Sequence, residues 1–375
     1  MAIGIGRLVG EYVPATGFGD WAGVWRNCLD FAFEDIAARD GIDQPIEIAV
    51  RQVEGLPTGG QHAVVKAWRE LEAEGVLAIM GPSNADNGRA VRDTANAGEV
   101  STFLFGCSEQ LASPWTFGMP WGAAPEDALL AASWLHRQGH RRIGVLWDTA
   151  WHGEEWMHYA RIGARRFGLE IVGEARIPAL VLDAAARARQ GQAARAGVAR
   201  LRALGPDALL MMTSHGSLPF IEAVADAGWD VPRVVAGGSF APAARLLPGR
   251  MQGWVGTSLF DERNPRAVRL FRRYRERHGE PPPELEDMII AVHDGARALL
   301  EGISLAPIMT RAGVRRGIEQ VKHLPATSGA PTSIISFSEH DHRGFKGPAI
   351  SVLRRQAGPT RADFVFEGEY TQPRE

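Results

Sequence analysis

Val76-Leu-Ala-Ile-Met80 followed by Gly81-Pro-Ser-Asn84 sets the pattern of this chain: a short apolar run, a loop of small polar residues, then an amphipathic helical stretch. The unit recurs. Thr102-Phe-Leu-Phe105 leads into Gly106-Cys-Ser-Glu109, Ala208-Leu-Leu-Met-Met212 into Thr213-Ser-His-Gly216, and Val234-Val-Ala236 into Gly237-Gly-Ser-Phe240. Strands alternating with helices imply mainly parallel sheets. In such sheets ligands bind outside the carboxyl ends of the strands. The four loops are therefore expected at one kind of place, two in each half of the series, and two such halves facing each other make a cleft.

Outward from that unit, Ala2–Val9 reads as a first strand. Ala22, Trp25, Leu29, Phe33 and Ile36 then recur at helical spacing up to Gly41. Ile46–Val53 is a strand and Thr58–Glu74 a helix closed by Gly75, with the helix Asp86–Ala97 between the next two strands. Pro114-Trp-Thr-Phe-Gly-Met-Pro120 breaks the rhythm and reads as a crossover. The pattern restarts with the helix Pro125–Gln138 and the strand Arg142–Trp147, and runs through Val231–Ala236. The Ala/Arg-rich stretch Ala184–Arg202 is an exposed helix, because alanine is the best helix former. Near Met251–Phe260 the chain crosses back, and helices Pro265–His278, Glu284–Gly302 and Thr310–Val321 follow. Ser333–Phe337 and Ala349–Arg354, around Glu339-His-Asp-His-Arg-Gly344, read as a hairpin.

A chain of 375 residues is comfortable for two domains, each with its own core. Hydrophobic content of 45% and charged content of 23% are ordinary for a soluble globular protein. A net charge of -3, with no Lys/Arg run, argues against a nucleic-acid partner. No apolar stretch approaches the ~20 residues that span a bilayer, so a membrane-embedded chain is not expected. Met1-Ala-Ile-Gly-Ile-Gly6 opens straight into a strand without the features of a secretory leader. Either the protein works in the cytoplasm or a leader lies outside this sequence. Cys28 and Cys107 read as two small buried residues.

Motifs that would carry chemistry fail on spacing. Gly4-Ile-Gly-Arg-Leu-Val-Gly10 is one residue too long for a dinucleotide fingerprint and lies within a strand, so no cofactor is expected. His152 and His158 sit six apart, where zinc proteases need four, so no metal is expected. Glu339-His-Asp-His342 is read as a solvated charged turn. No nucleophile elbow or P-loop occurs, so a hydrolase or dehydrogenase is disfavoured and the chain is not expected to be an enzyme. Ser83, Ser108, Ser214 and Ser239 stand at strand ends, where a hydroxyl serves either a ligand or the cap of the next helix. Trp151 and Phe18 are the aromatics best placed to stack on a ligand at a cleft mouth, whereas Trp25, Trp68 and Trp134 belong to the core.

The arrangement resembles the type I periplasmic binding proteins, specifically the branched-chain amino acid and amide-binding group, over nearly the entire chain. The resemblance rests on Gly17-Phe-Gly-Asp20, Ile79-Met-Gly-Pro82, Gly106-Cys-Ser108, Asp148-Thr-Ala-Trp-His-Gly-Glu154, His293-Asp-Gly-Ala296 and the closing Ser351-Val-Leu. It implies an α/β fold of two doubly wound parallel-sheet lobes joined by a three-crossover hinge. The lobes would be residues 1–118 plus 252–328 and residues 119–251 plus 329–375. It implies a solute-binding protein, periplasmic, that captures a small molecule between the lobes for an ABC permease. A cytoplasmic ligand-sensing regulator on the same fold is the alternative.

Position by position, the resemblance places Phe18 over the ligand and gives Cys107 and Ser108 the small-residue pair that holds a carboxylate. His152 or Trp151 takes the place of the cleft tyrosine, and Thr213 and Ser214 that of a second aromatic. Ser83 fits only with a one-residue shift, and Asn84 offers both a donor and an acceptor. Ser239 stands where amino-acid binders keep an acid against the ligand's ammonium. A buried ammonium without a carboxylate partner is costly. The expected ligand is therefore a small polar or planar molecule, such as an amide, a urea-like compound or an aromatic acid, and Asp86 or Glu109 would supply any missing charge.

Overall fold

Strands buried on both faces need near-continuous apolar runs, and the computed structural model places such runs at the centre of two sheets. It describes residues 3–9, 21–37, 42, 44–56, 59–120, 122–179, 183–213, 217–236, 240–282, 285–347, 351–356 and 364–370. The chain forms two compact units, Met1–Trp121 with Arg263–Ile350 and Gly122–Glu262 with Ser351–Glu375.

In the first unit β1 (Ile3–Val9), α1 (Trp21–Ala37), β2 (Ile46–Gln52), α2 (Gln61–Ala73), β3 (Ala78–Met80), α3 (Ala85–Gly98), β4 (Ser101–Leu104) and β5 (Thr116–Gly118) follow one another. Their strands pair in parallel in the order β2-β1-β3-β4-β5. Val64, Ala67, Trp68 and Leu71 form the buried stripe of α2. The Trp68 indole donates to Thr102 Oγ1 at 3.1 Å, so the large ring is buried with its polar atom satisfied. The segment read as a crossover contributes β5, whose Phe117 stacks on Phe103 with ring centroids 5.4 Å apart.

The second unit runs α4 (Ala124–Arg137), β6 (Arg142–Asp148), α5 (Trp151–Arg166), β7 (Glu170–Ile177), α6 (Ala184–Ala203), β8 (Ala208–Met212), α7 (Ser217–Asp226), β9 (Arg233–Ala236), α8 (Phe240–Leu246) and β10 (Val255–Ser258). β8 is buried along its whole length. β10 lies parallel to β9, so residues 252–262 stay with this unit, whereas the sequence reading assigns them to the first. A glycine is required in β10: a Cβ on Gly256 would stand 2.0 Å from the Phe240 ring of α8.

Back in the first unit come α9 (Pro265–His278), α10 (Glu286–Ser304), α11 (Arg311–Glu319), β11 (Leu324–Pro325) and β12 (Ile334–Ile335). α10 is buried on nearly every face. Its Asp294 carboxylate accepts from the amides of Thr327 (2.7 Å) and Ser328 (3.1 Å) and from Arg297 at 3.0 Å. Asn264, the cap of α9, donates to the carbonyls of Ala326, Thr327 and Gly329 at 3.0–3.2 Å. The segment after residue 328 is thereby held in the first unit, and the third passage between units falls after Ile350. The expected hairpin is a different pairing. β12 joins β11, whereas β13 (Val352–Gln356) lies antiparallel to both β10 and β14 (Phe364–Gly368) of the second sheet. Phe337 packs instead against Phe103 and Phe117 in the first unit.

Two histidines of the first unit are buried: His293, 3.5 Å from the Asp35 carboxylate, and His342, stacked at 4.1 Å on Phe117. Burial draws both below the usual 6.5, although Asp35, and for His342 the Ser113 carbonyl and Glu319, pull the other way. Between the two values the unfolded chain binds protons that the native chain does not, so stability rises with pH there. We expect the unfolding free energy to be level above about pH 7 and to fall as pH drops below about 6.5. Denaturant melts at pH 7.5, 6.5 and 5.5 check this, with a shallower slope for His342→Gln. A stability unchanged or increasing toward acid refutes it.

Candidate functional site

β3 and β4 end in register, Met80 opposite Phe103, and the ladder runs on past them. The Gly81 amide donates to the Phe103 carbonyl at 2.8 Å and the Phe105 amide to the Pro82 carbonyl at 3.1 Å. The two loops therefore leave the sheet side by side. Asn84 turns the first into α3: its Oδ1 accepts from the amides of Asp86 (2.9 Å) and Asn87 (3.2 Å), satisfying donors that the first helical turn leaves orphaned. The second loop closes on it through Gly106. A Cβ there would stand 2.6 Å from the Ala85 Cα, so only glycine allows the approach. Ser83, Asn84, Cys107 and Ser108 are all buried and brought together at one edge of the first sheet.

Ser108 caps the short 3-10 turn Glu109–Leu111, its Oγ accepting from the Gln110 amide at 3.1 Å. Of the two roles open to this hydroxyl, the cap is shown. A hydroxyl that accepts at a cap retains a second lone pair and a donor proton as chemical capacity. Glu109, expected to bring negative charge to a ligand, is engaged by Arg343 at 2.7 Å.

In the second unit β6 and β8 are neighbours with Trp147 opposite Met212, so the loops at Asp148 and Thr213 also leave together. The Asp148 carboxylate accepts from the Ala150 amide at 3.2 Å just before α5. Gly153 is again a requirement of close approach, since its Cβ would lie 2.1 Å from the Asp148 carbonyl oxygen. Trp151 is half-buried in the first turn of α5. His152 is buried, its ring edge-on to Trp156 at 5.3 Å. Thr213 is buried at the end of β8. Phe18, Ser214 and Ser239 lie outside the described residues.

Each sheet edge thus presents helix N-termini and small hydroxyl or amide side chains. Such N-termini offer backbone N–H groups and partial positive charge, which suit a ligand rich in acceptors. Among the described residues no group of three His, Cys, Asp or Glu side chains gathers to hold a metal. The sequence reading quotes Asp148 only within the motif that carries the resemblance, and it assigns a contact neither to Asp148 nor to Trp156. The first falls on a strand end and the second one helical turn from His152, so both positions carry a usable signal. Arg343 carries none, being 234 residues from Glu109.

The Gly106 contact gives a direct check. Gly106→Ala should cost about 1–3 kcal/mol, as overpacking against backbone does, whereas Gly139→Ala, where no atom lies within 4 Å of a Cβ, acts only through its φ of 90°. Thermal melts of both variants compare them. A Gly106→Ala protein as stable as the parent would mean the two loops do not touch.

The family model described as periplasmic binding protein matches residues 9–353. Solved structures agree along nearly the full length. A type 1 periplasmic binding protein from Bordetella pertussis Tohama I superposes with a TM-score of 0.79 at 20% identity, covering 98% of this chain and 100% of the other. An ABC transporter substrate-binding protein from Desulfitobacterium hafniense, in complex with Leu, gives 0.75 at 16% identity, covering 98% and 99%. A solute-binding protein of an ABC transporter from Rhodopseudomonas palustris BisB5, in complex with 3,4-dihydroxybenzoic acid, gives 0.70 at 15% identity, covering 94% and 93%. A search of curated proteins finds no match. At these identities the structures speak to the fold, and the family model to descent: the chain belongs to the periplasmic binding protein family, with the type I fold.

Proposed function

We propose that this chain is a solute-binding protein that takes a small organic ligand at the strand-end loops of its two units and delivers it to an ABC-type importer from the periplasm. The observation that carries the reading is the pairing of loops at each sheet edge: Ser83–Asn84 beside Cys107–Ser108, and Trp151–His152 beside Thr213. Family membership supports it, since this is a family of binding proteins rather than of enzymes. Among the described residues no helix is long and apolar enough to cross a membrane, so a separate permease would do the crossing. Phe18, Ser214 and Ser239 complete the proposed contact set.

The ligand class follows from the donors. Hydroxyls, a carboxamide and helix N-termini favour a molecule with acceptors, and Ser239 supplies no carboxylate for an ammonium. An aromatic acid or an amide fits better than an α-amino acid. The Rhodopseudomonas palustris protein of this fold holds an aromatic acid and the Desulfitobacterium hafniense one holds Leu, so both outcomes are within reach of the architecture.

Two measurements test the proposal. A ligand that binds only the native state raises the melting temperature, so 3,4-dihydroxybenzoate, benzamide, urea and leucine are compared by thermal shift. An upward shift with the acid or an amide, larger than with leucine, is expected. A larger shift with leucine overturns the ligand class, and no shift with any of them counts against the site. For the ligand that binds, Trp151→Ala and Ser108→Ala should each weaken affinity by up to about tenfold, the worth of one good contact. Calorimetry showing unchanged affinity in both variants would put the ligand elsewhere.

A further inference from the structure

Glu339-His-Asp-His-Arg-Gly344 has no part in the binding reading, and the solvated turn expected there describes half of it. Glu339, His340 and Asp341 are exposed, with Lys346 on the Asp341 carboxylate at 2.5 Å. The next two residues turn inward. The Gly118 amide donates to the His342 carbonyl at 2.9 Å and the Gly344 amide to the Gly118 carbonyl at 2.8 Å, so Arg343 is bracketed against the edge of β5. Gly344 permits this approach, because a Cβ there would stand 2.2 Å from the Met119 sulfur. The backbone on both sides of Arg343 is thus fixed before its side chain makes any contact.

From that mount the segment grips the loop that follows β4 at two points. A His342 ring nitrogen lies 2.6 Å from the Ser113 carbonyl oxygen, at the far end of the loop. The Arg343 guanidinium donates to Glu109 Oε1 at 2.7 Å, beside Ser108. A third group, Arg92 of α3, donates to the Gln110 carbonyl at 2.8 Å. The Gln110 amide in turn donates to Ser108 Oγ. The cap geometry of Ser108 therefore depends on where the Glu109–Gln110 peptide is held.

We infer that Arg343 is a positioning residue of the ligand site: through Glu109 it fixes the 3-10 turn and so the direction of the Ser108 hydroxyl. The inference rests on the binding reading for the meaning of Ser108 but not for its test. The same segment bonds β5, which precedes the passage out of this unit after Trp121, and itself precedes the passage after Ile350.

Hydrogen exchange of the Gln110 amide, in the full chain and without any ligand, reports the cap directly. Both partners are partly exposed, so their pair is worth no more than a surface-type contact. Glu109→Gln and Arg343→Gln should each raise Gln110 exchange about fivefold. The double variant should show no further increase, because the two residues act through one contact. Arg343→Lys should restore most of the protection. The Leu209 amide of β8, bonded to the Pro232 carbonyl in the other unit, is the control and should not change. Unaltered Gln110 exchange in Arg343→Gln, additive effects in the double variant, or a parallel rise at Leu209 overturns the inference. Because no ligand enters the measurement, its outcome is separate from that of the binding screen.

Discussion

A parallel strand in the middle of a sheet gives its backbone groups to neighbouring strands and both sets of side chains to helices. β3, β4 and β8 are buried along their entire lengths, so a polar side chain on them, such as Thr102 of β4 on the Trp68 indole, is turned to a partner inside the fold. Polar chemistry is pushed to the strand ends, where the chain must turn and where the next helix brings unsatisfied amides. Asn84 and Ser108 answer that demand in the first unit, and Asp148 in the second. Site and fold therefore have one cause. The residues that let the chain leave the sheet are those that a bound molecule would meet.

Close approach decides how these loops sit. Gly106 and Gly153 are not used for unusual backbone angles; each is the absence of a side chain where another stretch of backbone passes. The buried polar groups of α10 work in the opposite sense, by attraction. Asp294 gathers two amides of the segment after β11, and Asn264 gathers its carbonyls, so a stretch with little periodic structure is fixed from two directions. Each buried donor or acceptor left alone would cost about 1–3 kcal/mol, which is why such stretches are held by several bonds at once.

Much of this was legible in the residues. Apolar runs such as Ala208–Met212 announce strands, and helical spacing locates α1, because both signals are local. The cap role offered for the strand-end serines holds for Ser108, whereas Asn84, read only as a ligand contact, is also a cap. What escaped is long-range. β5 has three residues, too few for a period, and it is a strand through its ladder with β4, where Phe117 stands opposite Phe103 and stacks on it. The stretch from 329 to 350 belongs to the first unit through Asn264, Phe117 and Gly118, none of them near it in sequence. Arg343 looked like part of a charged turn, and its partner Glu109 lies in another segment. Gly106 could be seen to end a strand, but not to make room for Ala85.

Cys28 sits on the buried face of α1, its sulfur 3.5 Å from the Ile289 carbonyl of α10, and burial pushes its thiol far above the range in which it ionises near neutrality. Alkylating reagents attack the thiolate, so this sulfur is chemically silent while α1 stays docked. Its modification rate is then a clock for the separation of α1 from α10, built into the native sequence and readable without any introduced label.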